Sequence, residues 1–518
     1  MSAGQPVRAG RREWCGLALL ALPTMLLGLD VTALYLVVPS LAADLGPSAT
    51  ETLWIMDAYG FLIAGFLITM GTLGDRLGRR RLLMIGMAAF AAASVVATFA
   101  PSALWLIVAR ALLGVAGATL MPSTLSLIST MFTDAKQRAL AIGVWATMFA
   151  LGMAAGPIAG GVLVAAFWWG AVFLIAVPVA VLVLTGAPAL LPEFRTPGGR
   201  LDLLSVGLSL AAMLPTVYAI KHVASHGFDV QAWVALPVGA VSAVAFVRRQ
   251  LQLKDPLLDV RLLATSRAFS AALAVLLIGL VGFGGVMFLV TQYLQLVEGL
   301  TPTIAGLWIS PPALAMLAGA LGAPLLAGRV SPGVIMAAAL AISLVGYALL
   351  ALAGTGAKAA VIAGFGVVYL GLGVIAALGT DIVVGTVPPE KSGSAAALSE
   401  TVQELGVAAG VALLGSLTAV TYRSTVDVPS GMNPPAADAY GDSLSGAWSV
   451  RDEMPTGALQ TAQAAFTSGL NTAAMAAGIA VAAASLACFA TLRHVRPLGE
   501  TAPEAEPVAS ASGSGDGR

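Results

Sequence analysis

Residues 71–81 read Gly71-Thr72-Leu73-Gly74-Asp75-Arg76-Leu77-Gly78-Arg79-Arg80-Arg81. Apolar runs at 52–73 and 82–100 flank the stretch, and each has about the 20 residues one bilayer crossing needs. Gly71, Gly74 and Gly78 permit a tight turn. Asp75 can cap or pair near a helix N-terminus, where the dipole favours an anion. Arg76, Arg79 and Arg80 can make forked hydrogen bonds with carboxylates. Arginine-rich turns also anchor the cytoplasmic end of a membrane hairpin, and both readings stand. A charged turn between two segments of bilayer length sets the pattern for the whole chain.

Working outward, the apolar runs repeat. The chain has 518 residues, 58% hydrophobic and only 10% charged, with a mean hydropathy of +0.92. A soluble domain carries about 25% charged residues. Fourteen spans are predicted, the first seven at 15–38, 52–73, 82–100, 103–128, 139–164, 168–191 and 203–220. The other seven are 231–247, 269–294, 303–328, 333–353, 359–384, 395–420 and 468–492. Backbone groups without water must be satisfied internally, and the runs lack period-2 alternation. The fold class expected is therefore an all-α integral membrane protein.

With the N-terminus in the cytoplasm, 21 of the 26 Lys and Arg fall in inside segments and four outside. The remaining one, Arg110, is intramembrane. The asymmetry fits the positive-inside rule for an even number of spans, so both termini are expected in the cytoplasm. The zero net charge gives no footprint for a nucleic acid. No metal site, cofactor, nucleotide loop or nucleophile–base set stands out, so an enzyme is not indicated. The segment 421–467 is rich in Gly, Pro, Ser and Asp and reads as a solvated external loop. Residues 496–518 read as a disordered cytoplasmic tail.

Five acids lie inside or at the ends of the apolar segments: Asp30, Asp57, Asp381, Glu400 and Glu404. A charge at mid-membrane costs about 2.5–3.5 kcal/mol on insertion scales and marks a functional candidate. At about 1.5 Å per residue, Asp30 lies about 24 Å into its span, Asp57 about 8 Å, Glu400 about 8 Å and Glu404 about 14 Å. Asp381 sits near the cytoplasmic end of its span. Asp57 and Asp381 also read as wetted interface residues. Arg110 is expected to pair with a carboxylate or carbonyls, and such a pair can hold two helices together. Gly152, Gly156 and Gly160 recur every four residues and share one helix face, which permits close approach of a neighbour. Pro157 favours a kink.

Taken together, the chain resembles the major facilitator superfamily, through 71–81 and five further stretches. These are Leu29-Asp30-Val31-Thr32, Trp54-Ile55-Met56-Asp57-Ala58-Tyr59, Arg110-Ala111-Leu112-Leu113-Gly114, the run Gly152 to Gly161, and Ser394 to Gly406. Fourteen spans make it similar to the drug:proton antiporter branch, which includes Qac-type quaternary ammonium exporters. Tyr35, Val37 and Leu113 depart from the residues common there. The resemblance implies two six-helix bundles with two intervening helices. The expected division is 1–13 tail, 14–191 first bundle, 192–250 extra helices, 251–495 second bundle. It also implies proton coupling through Asp30, Arg110, Glu400 and Glu404, and substrate binding at Asp30, Asp57, Asp381 and Glu404. A cytoplasmic gate at Gly71, Gly74, Asp75, Arg76, Gly78 and Arg79 is implied as well. So is an exporter motif at Gly152, Gly156, Pro157, Gly160 and Gly161, acting as hinge or seal; ordinary tight packing is its alternative.

Glu400 and Glu404 stand four residues apart on one helix face. Two like charges in a low dielectric disfavour double ionisation, so the pair shares a proton. A proton and a cation then compete for one negative charge. The expected function is proton-coupled export of lipophilic, cationic drugs or biocides by a monomer in the cytoplasmic membrane. A dedicated exporter of a self-made metabolite uses the same machinery with a different cargo. A nutrient symporter is disfavoured by the complete 152–161 motif.

Overall fold

The computed structural model describes residues 9–193, 202–226, 229–253, 256, 260–261, 263, 266–387 and 392–494. The tail 496–518 and the side chain of Asp75 lie outside the described residues. Thirteen helical segments among the described residues are long and apolar enough to cross a membrane. The fourteenth crossing is Ala49–Leu77, which carries Glu51, Asp57, Asp75 and Arg76.

The first bundle comprises α1 Arg11–Leu45, α2 Ala49–Leu77, α3 Arg79–Thr98, the pair α4 Ala103–Gly117 and α5 Leu120–Met131, α6 Ala135–Ala166, and α7 Ala176–Leu190. The pair α4–α5 forms one crossing. The hairpin α8 Leu203–His226 and α9 Val230–Gln252 follows. The second bundle comprises α10 Arg267–Gln292, α11 Pro302–Ala327, α12 Pro332–Ala351, α13 Lys358–Gly385, α14 Ser392–Thr425 and α17 Ala458–Leu492. Two short helices, α15 Pro434–Asp442 and α16 Leu444–Ser449, precede α17. With fourteen crossings, α1 begins at the same end of the molecule where α17 finishes; the other is called the far end.

Helices outrun their apolar runs. α2 continues through the charged residues to Leu77 and α3 begins at Arg79, so the expected turn contracts to Gly78. Gly78 has φ +102°, a conformation that favours glycine. Asp75 therefore lies in the last turn of α2 rather than at a helix N-terminus. Arg79–Arg81 fall in the first turn of α3, where the dipole disfavours cations. Arg80 offsets this by donating from Nη1 to the Leu191 carbonyl at 3.1 Å, and its Nε lies 3.5 Å from Glu193.

The bundles meet along two seams, α2 against α14 and α6 against α11. Close approaches at Leu53–Gly415, Gly60–Ala408, Pro157–Gly306 and Gly161–Pro302 mark them, from mid-depth toward the far end. α8 packs over the first seam, where Phe61, Val217, Ala408 and Ala412 form a small apolar cluster. The hairpin is tied at its ends. Asp202 accepts from Arg249 Nε at 2.9 Å and Nη2 at 2.8 Å, and that guanidinium holds its carboxyl down to about 2. At the other end His222 Nε2 lies 2.8 Å from Asp229 Oδ2.

The segment 421–467 differs most from expectation. It is a packed strap, not a solvated loop. Leu444 and Ala447 are buried at spacing i, i+3, and Tyr440 is fully buried. The Tyr440 hydroxyl donates to the Ala458 carbonyl at 3.0 Å, and Tyr422 donates to the Tyr440 carbonyl at 2.8 Å.

Candidate functional site

The site begins with tight packing of α4 on α2. A side chain at Gly114 would overlap the backbone of Tyr59, so its absence lets the helices meet. That contact brings Arg110 to the Ile55 carbonyl, to which its Nε donates at 3.2 Å. Its Nη1 donates to Asp30 Oδ2 at 2.7 Å, and its guanidinium lies 4.4 Å from the Tyr59 ring centroid. Arg110 is 2% exposed and Asp30 6%. The pair ties α1 to α4 and satisfies a buried cation from three directions.

Beside this pair lies a small cavity on the α2–α14 seam. Tyr35, Asp57, Tyr59 and Arg110 of the first bundle line it, together with Glu404 of the second. Gly60, Met56, Val31, Val407, Ala408 and Val411 complete the walls. Carboxylates from both bundles thus line one small, partly open pocket of about 20 Å³. Asp57 is 1% exposed, so the wetted-interface reading fails for it. Asp381 is exposed and does not line this cavity; its predicted substrate contact finds no place there. Glu400 is half-buried one turn along α14 and does not line it either. Tyr35 and Tyr59 are the site residues that sequence reasoning passed over. Their signal was slight, since aromatic residues in apolar helices ordinarily serve packing.

The glycine face of α6 comes next. Side chains at Gly152, Gly156 and Gly160 would overlap Met25, Thr32 with Leu29, and Ala33, all on α1. Thr32 Oγ1 donates to the Met153 carbonyl at 2.9 Å across the same contact. The motif also has a second face. Pro157 and Gly161 meet Gly306 and Pro302 of α11, and Thr303 Oγ1 donates to the Gly161 carbonyl at 2.9 Å. One helix therefore binds its own bundle and seals against the other.

A family model described as the Major Facilitator Superfamily matches residues 20–411, from within α1 to within α14. The chain belongs to the major facilitator superfamily. The multidrug efflux pump LfrA of Mycolicibacterium smegmatis is 46% identical over 488 residues, covering 92% of this chain and 96% of that protein. The methyl viologen resistance protein SmvA of Salmonella typhimurium is 32% identical over 455 residues, covering 86% and 90%. A solved bacterial homolog of the human lysosomal transporter Spinster has a TM-score of 0.67 at 17% identity, covering 94% of this chain and 98% of that one. This last likeness speaks for the fold alone.

Within this superfamily frame, the gate stretch sits at the termini end. Arg79 is 9% exposed and its Nη1 lies 3.4 Å from the Pro122 carbonyl, inside its own bundle. Its aliphatic stem packs on Gly74, where a Cβ would stand 2.9 Å from Cδ. Arg76 is exposed.

The α1–α6 contact carries a stability prediction. Gly156→Val places a branched side chain against Thr32 Oγ1 and the Leu29 carbonyl, and overpacking of this kind costs about 1–3 kcal/mol. The thermal midpoint of the detergent-solubilised protein is expected to fall by several degrees. An unchanged midpoint would show that the helices do not meet this closely.

Proposed function

We propose that the chain is a proton-coupled antiporter that exports lipophilic, cationic drugs or biocides by alternating access. The observation that carries this reading is the small pocket lined by Glu404 from one bundle and Asp57 from the other. Glu404 and Asp57 share that wall with the Arg110 guanidinium, two tyrosines, a methionine and aliphatic side chains, and a carboxylate at membrane depth can hold a proton or a cation. The two occupants exclude each other, and that exclusion is the coupling. Relatives named for multidrug efflux and for methyl viologen resistance support a cargo of this kind.

The excess of Lys and Arg at the termini end supports a cytoplasmic location for it, with the far end outside. The seams are shut toward the far end, so the cavity is closed to the outside in this state. Cargo enters from the cytoplasm and displaces the Glu404 proton. Rocking of the bundles opens the outer seams. A proton from outside then reloads Glu404 and releases the cargo. Glu400, one turn nearer the cytoplasm, takes the departing proton. The Asp30–Arg110 pair, neutral as a whole, sets the Arg110 guanidinium in the cavity wall. The 71–79 stretch latches the cytoplasmic side when the outside is open. The working unit is a monomer.

Inverted membrane vesicles test this reading. With an imposed proton gradient, acid inside, they are expected to accumulate ethidium and to lose it when an uncoupler is added. Accumulation that ignores the uncoupler would reject proton coupling.

A further inference from the structure

A second cavity lies on the α2–α14 seam, toward the far end from the first. Leu53 of α2, Phe288 of α10, Gly415 of α14, Phe466 of α17 and Leu444 of the strap line it. The two cavities are stacked. Leu53 and Asp57 are one turn apart on α2, and Val411 and Gly415 one turn apart on α14, a step of about 5.4 Å. The partition between them includes one pair of rings. Tyr35 lines the inner cavity, Phe288 lines the outer one, and their centroids are 6.5 Å apart. Gly415 helps make the space, since a Cβ there would stand 2.6 Å from Leu53 and 3.4 Å from Phe288.

The outer cavity is roofed by the strap. Asp442 Oδ2 accepts from the Ala49 backbone N–H, at the start of α2, at 2.7 Å. Ser445 Oγ donates to Gln292 Oε1 at 3.0 Å. The wall hydroxyls are already engaged: Thr52 donates to the Ser48 carbonyl at 3.0 Å, Thr418 to the Gly469 carbonyl at 3.3 Å, and Tyr422 to the Tyr440 carbonyl. What a ligand would meet is an apolar, partly aromatic surface and one carboxylate, Asp442, which already accepts from the Ala49 N–H and pairs with Arg423. That carboxylate is the only Asp, Glu, Lys, Arg or His in the lining, and its Oδ1 lies at the long distance of 3.4 Å from Arg423.

We propose that this cavity, about 50 Å³ in this state, widens on outward opening into a release-side binding site for lipophilic aromatic cations, which the cargo occupies between leaving Glu404 and reaching the outside. The proposal rests on the export reading above. The rings of Tyr35 and Phe288 part to let cargo through. A cation drawn to Asp442 competes with the Ala49 N–H and loosens the clasp that joins α2 to the strap. Filling the site therefore favours opening of the roof.

The test uses Ala419, a lining residue, as Ala419→Cys with the two native cysteines replaced by Cys15→Ser and Cys488→Ala. Intact cells are treated with a membrane-impermeant thiol reagent, with and without external tetraphenylphosphonium. Labelling is expected to slow at least about fivefold with the cation, and adding Asp442→Asn should remove most of that protection. The protection should survive Glu404→Gln, because the outer site does not use that side chain. Absence of labelling, labelling unaffected by the cation, or protection lost with Glu404→Gln would each overturn the proposal. Uncoupler-sensitive ethidium export is measured in the same cells. Export that persists without protection sinks the outer site and leaves the antiport reading standing. Export indifferent to the uncoupler sinks the antiport reading, and with it this assignment.

Discussion

Glu404→Gln is expected to lower ethidium efflux from energised cells at least about tenfold and to leave the residue insensitive to external pH. The substitution keeps the size of the side chain and removes only its ability to lose a proton. Glu404 is the one acid of α14 that lines the cavity, together with Asp57 and Arg110 of the first bundle. A tenfold loss corresponds to about 1.4 kcal/mol of coupling free energy, which one proton-for-cation exchange in a confined site readily exceeds. Glu400→Gln should fall less steeply, because Glu400 lies off the cavity. Equal efflux by wild type and Glu404→Gln across pH would remove this residue from the exchange.

The second large effect is expected at Arg110. Removing it in Arg110→Ala leaves Asp30 buried with its partner gone, and breaking a buried pair costs about 3–5 kcal/mol. Membrane abundance should fall severalfold and efflux should vanish. The double variant Asp30→Asn with Arg110→Gln replaces the ion pair by a neutral amide pair. Its abundance should recover, since no uncompensated charge remains. Its efflux should stay low, because the guanidinium is missing from the cavity wall that Glu404 shares. Full recovery of efflux in the double variant would make Asp30–Arg110 a fastening between helices and nothing more.

These expectations draw unequally on sequence and on packing. The crossings were legible because apolar length translates directly into membrane thickness. Their ends were not, because charged residues stop hydrophobicity without stopping a helix; α2 runs on to Leu77 until the positive φ of Gly78 ends it. The face shared by Gly152, Gly156 and Gly160 followed from their spacing, and all three meet α1. That Pro157 and Gly161 also touch α11 was invisible, since nothing local records a partner some 145 residues away. Asp57 and Asp381 looked alike as acids near span ends. Neighbouring helices separate them, burying Asp57 under α14 and leaving Asp381 exposed. Within 421–467, glycine, proline and serine masked the short apolar pattern of Leu444, Ala447 and Trp448, which folds the strap.

The most direct test of proton and cargo sharing one carboxylate is made without a membrane gradient. Purified protein in weakly buffered detergent solution at neutral pH is mixed with tetraphenylphosphonium while the bulk proton concentration is followed. Binding is expected to release protons in proportion to the cation bound, and Glu404→Gln should abolish that release. Binding of the cation with no proton set free, or release undiminished by Glu404→Gln, would contradict the exchange at this site.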